Sequence, residues 1–127
     1  MQKEINIFSL RERVESFRYA LKGLHALITT QHNAWIHAVS TVTVIGAGFF
    51  LCISNDDWIR LILAISLVWV AEALNTAMEF LCDAAIPDFH PLVEKAKDVA
   101  AGAVFISALA ALIVGVLIFM PYISALI

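Results

Sequence analysis

Charged side chains are scarce in this 127-residue chain, where they make up 15% of the residues against 61% hydrophobic residues. An ordinary soluble domain carries about 25% charged and about 45–50% apolar residues, and a disordered chain shows the opposite imbalance. Basic residues are also few, since eight Lys and Arg stand against eleven Asp and Glu. The sequence therefore has no basic stripe to meet a phosphate backbone, and we expect no nucleic-acid partner.

Cysteines and the common phosphate-binding motifs are rare or absent. Two cysteines are too few for a disulfide scaffold, and Cys52 and Cys82 are interpreted as packing residues. The five glycines form neither G-x-x-x-x-G-K-[ST] nor G-x-G-x-x-G, and the H-R-D loop of protein kinases is missing as well. These absences exclude the usual nucleotide-binding scaffolds. The composition that remains is typical of a small integral membrane protein.

Three long apolar runs dominate the chain. Residues 34–53 and 99–120 contain no charged side chain, and residues 59–82 contain only Arg60 ahead of a polar far end. Each run has about the 20 residues that a transmembrane helix needs. We therefore predict one membrane domain over residues 1–127, with spans at about 34–53, 59–82 and 97–120. The basic residues before the first span and in the second loop place the N-terminus in the cytoplasm by the positive-inside rule; they are Lys3, Arg11, Arg13, Arg18, Lys22, Lys95 and Lys97.

A further helix is predicted before the first span, at about residues 8–31. Its apolar residues recur at steps of three and four, which is one face of a helix; they are Val14, Phe17, Leu21, Leu24 and Ile28. A basic amphipathic helix in this position is expected to lie in the headgroup region of the membrane. The pattern suits a simple anchor as well as a functional role. The predicted fold is thus an all-α membrane protein with one surface helix and three transmembrane helices.

The second span carries polar side chains along one face, which we call the acidic face; it consists of Glu72, Asn75, Thr76, Glu79 and Asp83. Their spacing keeps them within an arc of about 100°. A charged side chain facing lipid at the bilayer centre costs about 2.5–3.5 kcal/mol, so this face must meet protein, water or a cation. A purely structural polar network for helix pairing is the alternative, and Asn75 with Thr76 would suffice for it. Since Glu72 and Glu79 repel each other, we favour a functional role, and an oligomer that shields them.

Depth assigns different expected roles to the carboxylates of the acidic face. In the predicted orientation Asp83 lies at the cytoplasmic boundary, near Lys97 and Asp98. Glu79 lies about 6 Å deeper and Glu72 about 16 Å deeper, at 1.5 Å per residue. Oxygen ligands near the boundary suit Mg²⁺, which proteins usually hold with one or two carboxylates plus substrate phosphates. The deeper glutamate suits a general base.

Three blocks of the sequence follow one another in an order and spacing found in a known family. Residues 72–79 with Asp83 match E-x-L-N-[ST]-A-[IM]-E-x-x-x-D, and His90 with residues 96–98 matches H-x-L-x-x-x-A-K-D. Residues 19–24, Tyr-Ala-Leu-Lys-Gly-Leu, form the third block. Over residues 17–119 the chain resembles the small bacterial lipid kinases, the diacylglycerol and undecaprenol kinases. Residues 90–92 and 97–104 are more similar to the undecaprenol kinase branch.

The resemblance implies a homotrimer in the bacterial inner membrane, with active sites shared between subunits. It implies ATP as phosphoryl donor, Mg²⁺ as cofactor and a membrane lipid alcohol as acceptor, with undecaprenol favoured over diacylglycerol. Glu72 then corresponds to the catalytic base that meets the lipid hydroxyl, and Glu79 to the magnesium ligand. Gln31 stands where the family has an acidic metal ligand, so we expect weaker Mg²⁺ binding here. The positions implied around the nucleotide are Tyr19, Asn75, Asp83, His90, Lys97 and Asp98.

Two other functions stay open from the sequence. A column of intramembrane carboxylates also suits a proton or cation conduit, although the third span has nothing to continue the path outward. Gln31 in place of a carboxylate also suits a trimeric membrane subunit whose kinase site is degraded.

The remaining candidate residues are interpreted as structural. The spacing of His25, His32 and His37 does not suit a metal cluster, and Trp69 is expected to pack against other side chains or to contact lipid. A stripe of small residues on the third span permits close approach of another helix; it consists of Ala103, Ser107, Ala111 and Gly115.

Overall fold

The structure is a computed structural model that describes residues 9–126, and in that range it consists of four helices joined by short loops. In chain order these are α1 (Leu10–Thr30), α2 (His32–Phe50), α3 (Asn55–Ala85) and α4 (Pro91–Ser124). The last three are long and apolar enough to cross a membrane. The predicted all-α class is therefore confirmed. Lys3, one of the residues behind the predicted orientation, and residue 8, the predicted start of the surface helix, lie outside the described range.

Two of the helices are longer than the apolar runs that predicted them. α3 has 31 residues and α4 has 34, which correspond to about 46 Å and about 51 Å at 1.5 Å per residue. A hydrocarbon core of about 30 Å cannot enclose either helix along its full length unless the helix is strongly tilted. The predicted spans leave residues 83–96 between them, but the second loop comprises only residues 86–90, because α3 continues to Ala85 and α4 already begins at Pro91.

Local chemistry explains why α4 starts at a proline. The first turn of a helix has backbone N–H groups without partners, so a residue that lacks the N–H group is tolerated there. His90 caps the helix, with its Nδ1 accepting a hydrogen bond from the backbone N–H of Leu92 at 3.2 Å. An apolar run marks where a helix is buried in lipid, and it does not mark where the helix itself begins.

The turn before α3 caps that helix. Ser54 is the N-cap residue, and its Oγ accepts a hydrogen bond from the backbone N–H of Asp57 at 3.2 Å. The C-terminal end of α4 is tied to the same turn, because the Tyr122 hydroxyl donates to Asp57 Oδ2 at 2.8 Å and accepts from the backbone N–H of Ser54 at 2.9 Å. A small apolar cluster of Ile53, Leu61 and Ile118 lies beside this turn.

The helices pack unevenly. α3 and α4 lie against each other along most of their length, whereas α2 meets α3 at few places. Ser107, from the predicted stripe of small residues, is buried, and Ala103 is exposed. Most large apolar side chains in the described range remain uncovered, with Phe50 as much as 83% exposed. Surfaces this apolar are covered by lipid or by other subunits.

The apolar face predicted for α1 is also uncovered. Val14, Phe17 and Leu21 are exposed, while Leu27, near the end of the helix, is its buried residue. α1 therefore turns its apolar face away from the other three helices. A helix on the membrane surface presents such a face to the lipid.

Gly48 provides a test of the contact between α2 and the start of α3. A Cβ atom at this position would lie 2.8 Å from Trp58 Cη2 and 3.2 Å from Ile53 Cδ1, whereas a Cβ atom at Gly46 would meet nothing within 4 Å. Overpacking costs about 1–3 kcal/mol. We expect the Gly48→Ala variant to have a free energy of unfolding lower than that of Gly46→Ala by about this amount. Thermal unfolding in detergent, followed by circular dichroism, measures the difference, and equal stabilities would contradict the packing described here.

Candidate active site

The acidic face of α3 turns toward the interior between α2 and α4. Glu72 is 1% exposed, and Asn75 and Thr76 are also buried, although other faces of the same helix carry exposed apolar residues such as Leu74. The side of the helix that would be costly in lipid is therefore the side that the fold shields. Periodicity alone predicts this arrangement, because the polar residues recur at helical spacing.

Three buried polar atoms on this face have no hydrogen-bond partner within the part of the chain that the structure describes: Glu72 Oε2, Asn75 Oδ1 and Thr76 Oγ1. A buried polar atom left without a partner costs about 1–3 kcal/mol. The nearest basic group to Glu72 is the His37 imidazole, whose Nε2 lies 3.8 Å from Oε2, beyond hydrogen-bond distance. The acidic face is thus incomplete within one chain and has atoms ready for a ligand.

Glu79 occupies a different setting, closer to the end of α3. Gln31 Nε2 donates to Glu79 Oε2 at 3.2 Å, and Asn75 Nδ2 donates to Oε1 at 3.2 Å. Gln31 is the single residue between α1 and α2, and its extended backbone (φ −110°, ψ 118°) breaks the helix there. The break aims the Gln31 side chain at α3. It joins two predicted metal ligands that stand 48 positions apart in the sequence.

The donor set around Glu79 is small. Among residues 9–126, no three His, Cys, Asp or Glu side chains form a cluster able to hold a metal ion. Glu79 and Gln31 together offer one carboxylate and one amide oxygen. That set fits Mg²⁺ when nucleotide phosphates and water complete the coordination, and it is too weak for a site built from protein ligands alone.

The remaining predicted site residues fall into two groups. Asp83 and Lys97 form an ion pair that joins the end of α3 to the first part of α4. Within the described residues, Tyr19, His90 and Asp98 make no hydrogen bond or ion pair with the acidic face. Tyr19 is 59% exposed on α1, where the cationic groups of Arg18 and Lys22 lie 5.7 and 5.8 Å from its ring centroid.

A cleft of about 250 Å³ opens in front of Glu72. α3 supplies Glu72 and Asn75 to its wall, and the other lining residues come from α2 and α4: Asn33, Ile36, His37, Ala101, Val104 and Phe105. The cleft places open space beside the buried carboxylate.

An apolar groove of about 450 Å³ adjoins the cleft, and the two share Ile36 and His37. The groove follows residues 36–44 of α2, 61–68 of α3 and 108–115 of α4. Residues 61–68 and 108–115 each span seven residue steps, which correspond to about 10 Å along a helix. The groove therefore extends about 10 Å from the cleft toward the end of the bundle that carries Ser54. Ala111 and Gly115, from the predicted stripe of small residues, line it and leave it room.

Sequence reasoning missed His37 and Asn33 as residues of the cleft. From the sequence, His37 is interpreted as a structural residue, because its spacing from the other histidines does not suit a metal cluster. The pattern that groups His37 with its neighbours appears only in the structure, where buried Ala34, half-buried His37 and half-buried Thr41 recur at steps of three and four on α2. Trp69 is more than a packing residue, since its Nε1 donates to Thr41 Oγ1 at 3.0 Å and its ring stands edge-on to the His37 ring.

The chain is similar to known proteins over most of its length. The family described as prokaryotic diacylglycerol kinase matches residues 18–119. An undecaprenol kinase of Bacillus subtilis (strain 168) is 37% identical over 107 residues, which cover 84% of this chain and 87% of that protein. A diacylglycerol kinase of Synechocystis sp. is 41% identical over 107 residues, covering 84% of this chain and 61% of that protein. A diacylglycerol kinase of Escherichia coli (strain K12) is 33% identical over 107 residues, covering 79% and 82% of the two chains.

Proposed function

Because the chain belongs to the prokaryotic diacylglycerol kinase family and is therefore a lipid kinase, we propose that it transfers a phosphoryl group from ATP to the hydroxyl of undecaprenol. The single observation that carries the chemistry is Glu72. Its carboxylate is buried in a membrane-spanning helix, has an oxygen without a partner, and faces an open cleft. A charged group in that setting is a functional site by default.

Glu72 acts as the general base in this proposal. Oε2 takes the proton from the lipid hydroxyl, and the resulting oxygen attacks the terminal phosphorus of ATP as ADP leaves. The Lys97 ammonium, held at the start of α4 by its ion pair with Asp83, offsets charge on the phosphoryl group. Asn75, which shares the acidic face and donates to Glu79, helps to position the reactants. Placement and charge neutralisation supply most of the rate in reactions of this kind.

Glu79 and Gln31 would hold Mg²⁺ together with the phosphates of the nucleotide. The ion would supply neutralisation of the phosphate charge and orientation of the transferred group. The convergence of the two side chains on each other supports this assignment, since Gln31 Nε2 already bonds a Glu79 oxygen. The residues proposed to contact the nucleotide are Tyr19, Asn75, Asp83, His90, Lys97 and Asp98.

The position of the cleft supports an acceptor with a long apolar body. The cleft connects to the groove through Ile36 and His37, so a hydroxyl at Glu72 places the tail of the same molecule along α2, α3 and α4. Water-soluble ATP reaches the acidic face from the opposite end, where Asp83 and Lys97 lie. Undecaprenol is favoured over diacylglycerol by residues 90–92 and 97–104, which are more similar to the undecaprenol kinase branch.

We also propose that the working form is a homotrimer in the bacterial inner membrane, with the N-terminus in the cytoplasm. The chain is a multi-pass membrane protein by its three apolar helices. Large apolar surfaces are left uncovered, and α2 makes few contacts within its own chain. Within the described residues, Tyr19, His90 and Asp98 make no hydrogen bond or ion pair with the acidic face of their own chain, which supports a site completed by a neighbouring subunit.

The decisive experiment incubates purified protein with labelled ATP, Mg²⁺ and a panel of lipid alcohols, alongside Glu72→Gln. We expect label on undecaprenol in preference to diacylglycerol, and turnover at least about a hundredfold lower in Glu72→Gln, the usual scale for a general base. Glu94→Gln, a matched change at an exposed glutamate in the first turn of α4, should keep full activity. Normal turnover in Glu72→Gln would refute the base, preference for diacylglycerol would refute the acceptor, and trimers that label no lipid would indicate a degraded site.

A cation conduit has less support than a kinase. The outer part of the bundle is filled by Ile53, Leu61 and Ile118, with Val114 and Phe119 packed against them. These apolar side chains would face any path that led outward from the acidic face. Flux of protons or cations through liposomes without nucleotide would favour the conduit.

Ala111 tests whether the groove holds the lipid tail. A larger side chain there would fill space that the tail is proposed to occupy, so Ala111→Phe should raise the KM for the lipid about tenfold, the scale set by small changes in an apolar pocket. The KM for ATP should not change. Ala110→Phe places the same side chain at the neighbouring exposed position and serves as the control. An unchanged lipid KM in Ala111→Phe would mean that the tail lies elsewhere.

Gln31 tests the metal site. Gln31→Glu adds a charge beside Glu79 and should lower the Mg²⁺ concentration for half-maximal activity by about tenfold, since ligand charge tunes affinity for hard cations. The same variant should melt at a lower temperature without Mg²⁺, because two carboxylates then repel and the bond from Gln31 Nε2 is lost. Added Mg²⁺ should restore the melting temperature. Gln31→Leu also loses the bond to Glu79 but adds no charge, so its Mg²⁺ requirement should not fall and added Mg²⁺ should not restore its melting temperature. An unaltered Mg²⁺ requirement in Gln31→Glu would remove residue 31 from the site.

A further inference from the structure

His37 is a basic group at the cleft that the proposed reaction does not yet use. Its Nε2 lies 3.8 Å from Glu72 Oε2, the carboxylate oxygen that has no hydrogen-bond partner. The imidazole lines both the cleft and the groove, so it stands where the lipid hydroxyl and the lipid tail are proposed to meet. The distance is too long for a resting hydrogen bond, and a small rotation of either side chain closes it.

Glu72 needs a way to lose the proton that it gains. Its side chain is 1% exposed, so water does not reach the carboxylate freely, whereas the His37 side chain is 15% exposed. Glu79, the next carboxylate along the acidic face, already accepts hydrogen bonds from Gln31 and Asn75 on its two oxygens. Imidazole takes up and releases protons near neutral pH. His37 is therefore placed between a buried acid and the open part of the cleft.

The position of the His37 ring is set by packing. The Trp69 ring stands edge-on to it, with 6.4 Å between ring centroids and 67° between ring planes. Trp69 is itself fixed by its hydrogen bond to Thr41, one turn along α2 from His37. Such support from neighbouring side chains is what holds a reactive group within reach of its partner.

We propose that His37 is a positioning residue that acts through Glu72 and accepts its proton after each phosphoryl transfer; this rests on the proposed kinase function. The lipid hydroxyl gives its proton to Glu72 as the new phosphate ester bond forms and the bond to ADP breaks. The protonated carboxyl of Glu72 then passes the proton to Nε2 of the neutral imidazole, and the imidazolium releases it to water in the cleft. The balance is one proton released for each lipid phosphorylated.

The groups that face His37 allow this transfer. α3 contributes Glu72 as its titratable neighbour, with Glu79 further along the same face. α4 contributes only apolar and small side chains to the walls that His37 shares, and the nearby polar residues of α2 are Asn33, Ser40 and Thr41. No lysine or arginine lines the cleft or the groove in the described residues. A proton leaving Glu72 therefore has His37 as its adjacent base.

Rapid-quench kinetics with labelled ATP, Mg²⁺ and undecaprenol test the proposal, with His37→Gln compared to wild type. The first turnover should keep its rate within about threefold, because the proposed role of His37 begins only after Glu72 has taken a proton, while steady-state kcat should fall about tenfold to hundredfold. His25→Gln, the same change at an exposed histidine of α1, should leave both rates unchanged. Equal losses in the two phases, or no loss in either, would overturn the role of His37.

A second variant keeps the test decisive if glutamine disturbs the helix packing. His37→Ala leaves a space beside Glu72, and 4-methylimidazole added to the assay should restore steady-state kcat at least about fivefold. The restoration should grow with the concentration of the neutral base, so it should be larger at pH 8 than at pH 6. A residue with a purely structural role would show no such dependence. If the wild type labels no lipid at all, the kinase function and this proposal both fail; if the wild type is active and no rescue occurs, this proposal alone fails.

Discussion

The burial of a carboxylate in a membrane helix is the constraint on which the site depends. Glu72 sits in the middle of α3, where lipid contact would cost several kcal/mol, and the fold meets that cost by turning Glu72, Asn75 and Thr76 toward α2 and α4. Glu72, Asn75 and Thr76 each keep one buried polar atom without a hydrogen-bond partner in the described residues. These atoms are therefore free to bond a ligand. The same constraint thus produces both the packing of α3 against α4 and a site that needs a ligand.

Two environments on one face divide the chemistry. Glu79 is held by amide donors near the end of α3, while Glu72 lies two turns deeper with a histidine as its nearest basic neighbour. A carboxylate surrounded by donors suits a cation and phosphate oxygens, and a carboxylate in an apolar wall suits proton abstraction. In the proposed reaction, ATP approaches the acidic face of α3 from one end and the lipid alcohol from the other, and the two meet near Glu72.

Long apolar runs were enough to predict three helices able to cross a membrane, and helical periodicity was enough to predict the acidic face and the inward orientation of Glu72, Asn75 and Thr76. It did not predict where helices end, because α4 begins at Pro91, eight residues before its uncharged run. Contacts between distant residues were also out of reach: nothing in local spacing joins Gln31 to Glu79 or His37 to Glu72, since these pairs meet only through the packing of α2 on α3. A lone histidine in an apolar helix gives no signal until its neighbour across the interface is known.

No loop longer than one residue separates α1 from α2. A single extended residue, Gln31, separates a helix whose apolar face is uncovered from a helix that enters the membrane. Any rolling or tilting of α1 is therefore transmitted through the backbone of that residue to the side chain that bonds Glu79. Because α1 is 21 residues long, a slight change in its tilt displaces the Gln31 side chain relative to the Glu79 carboxylate.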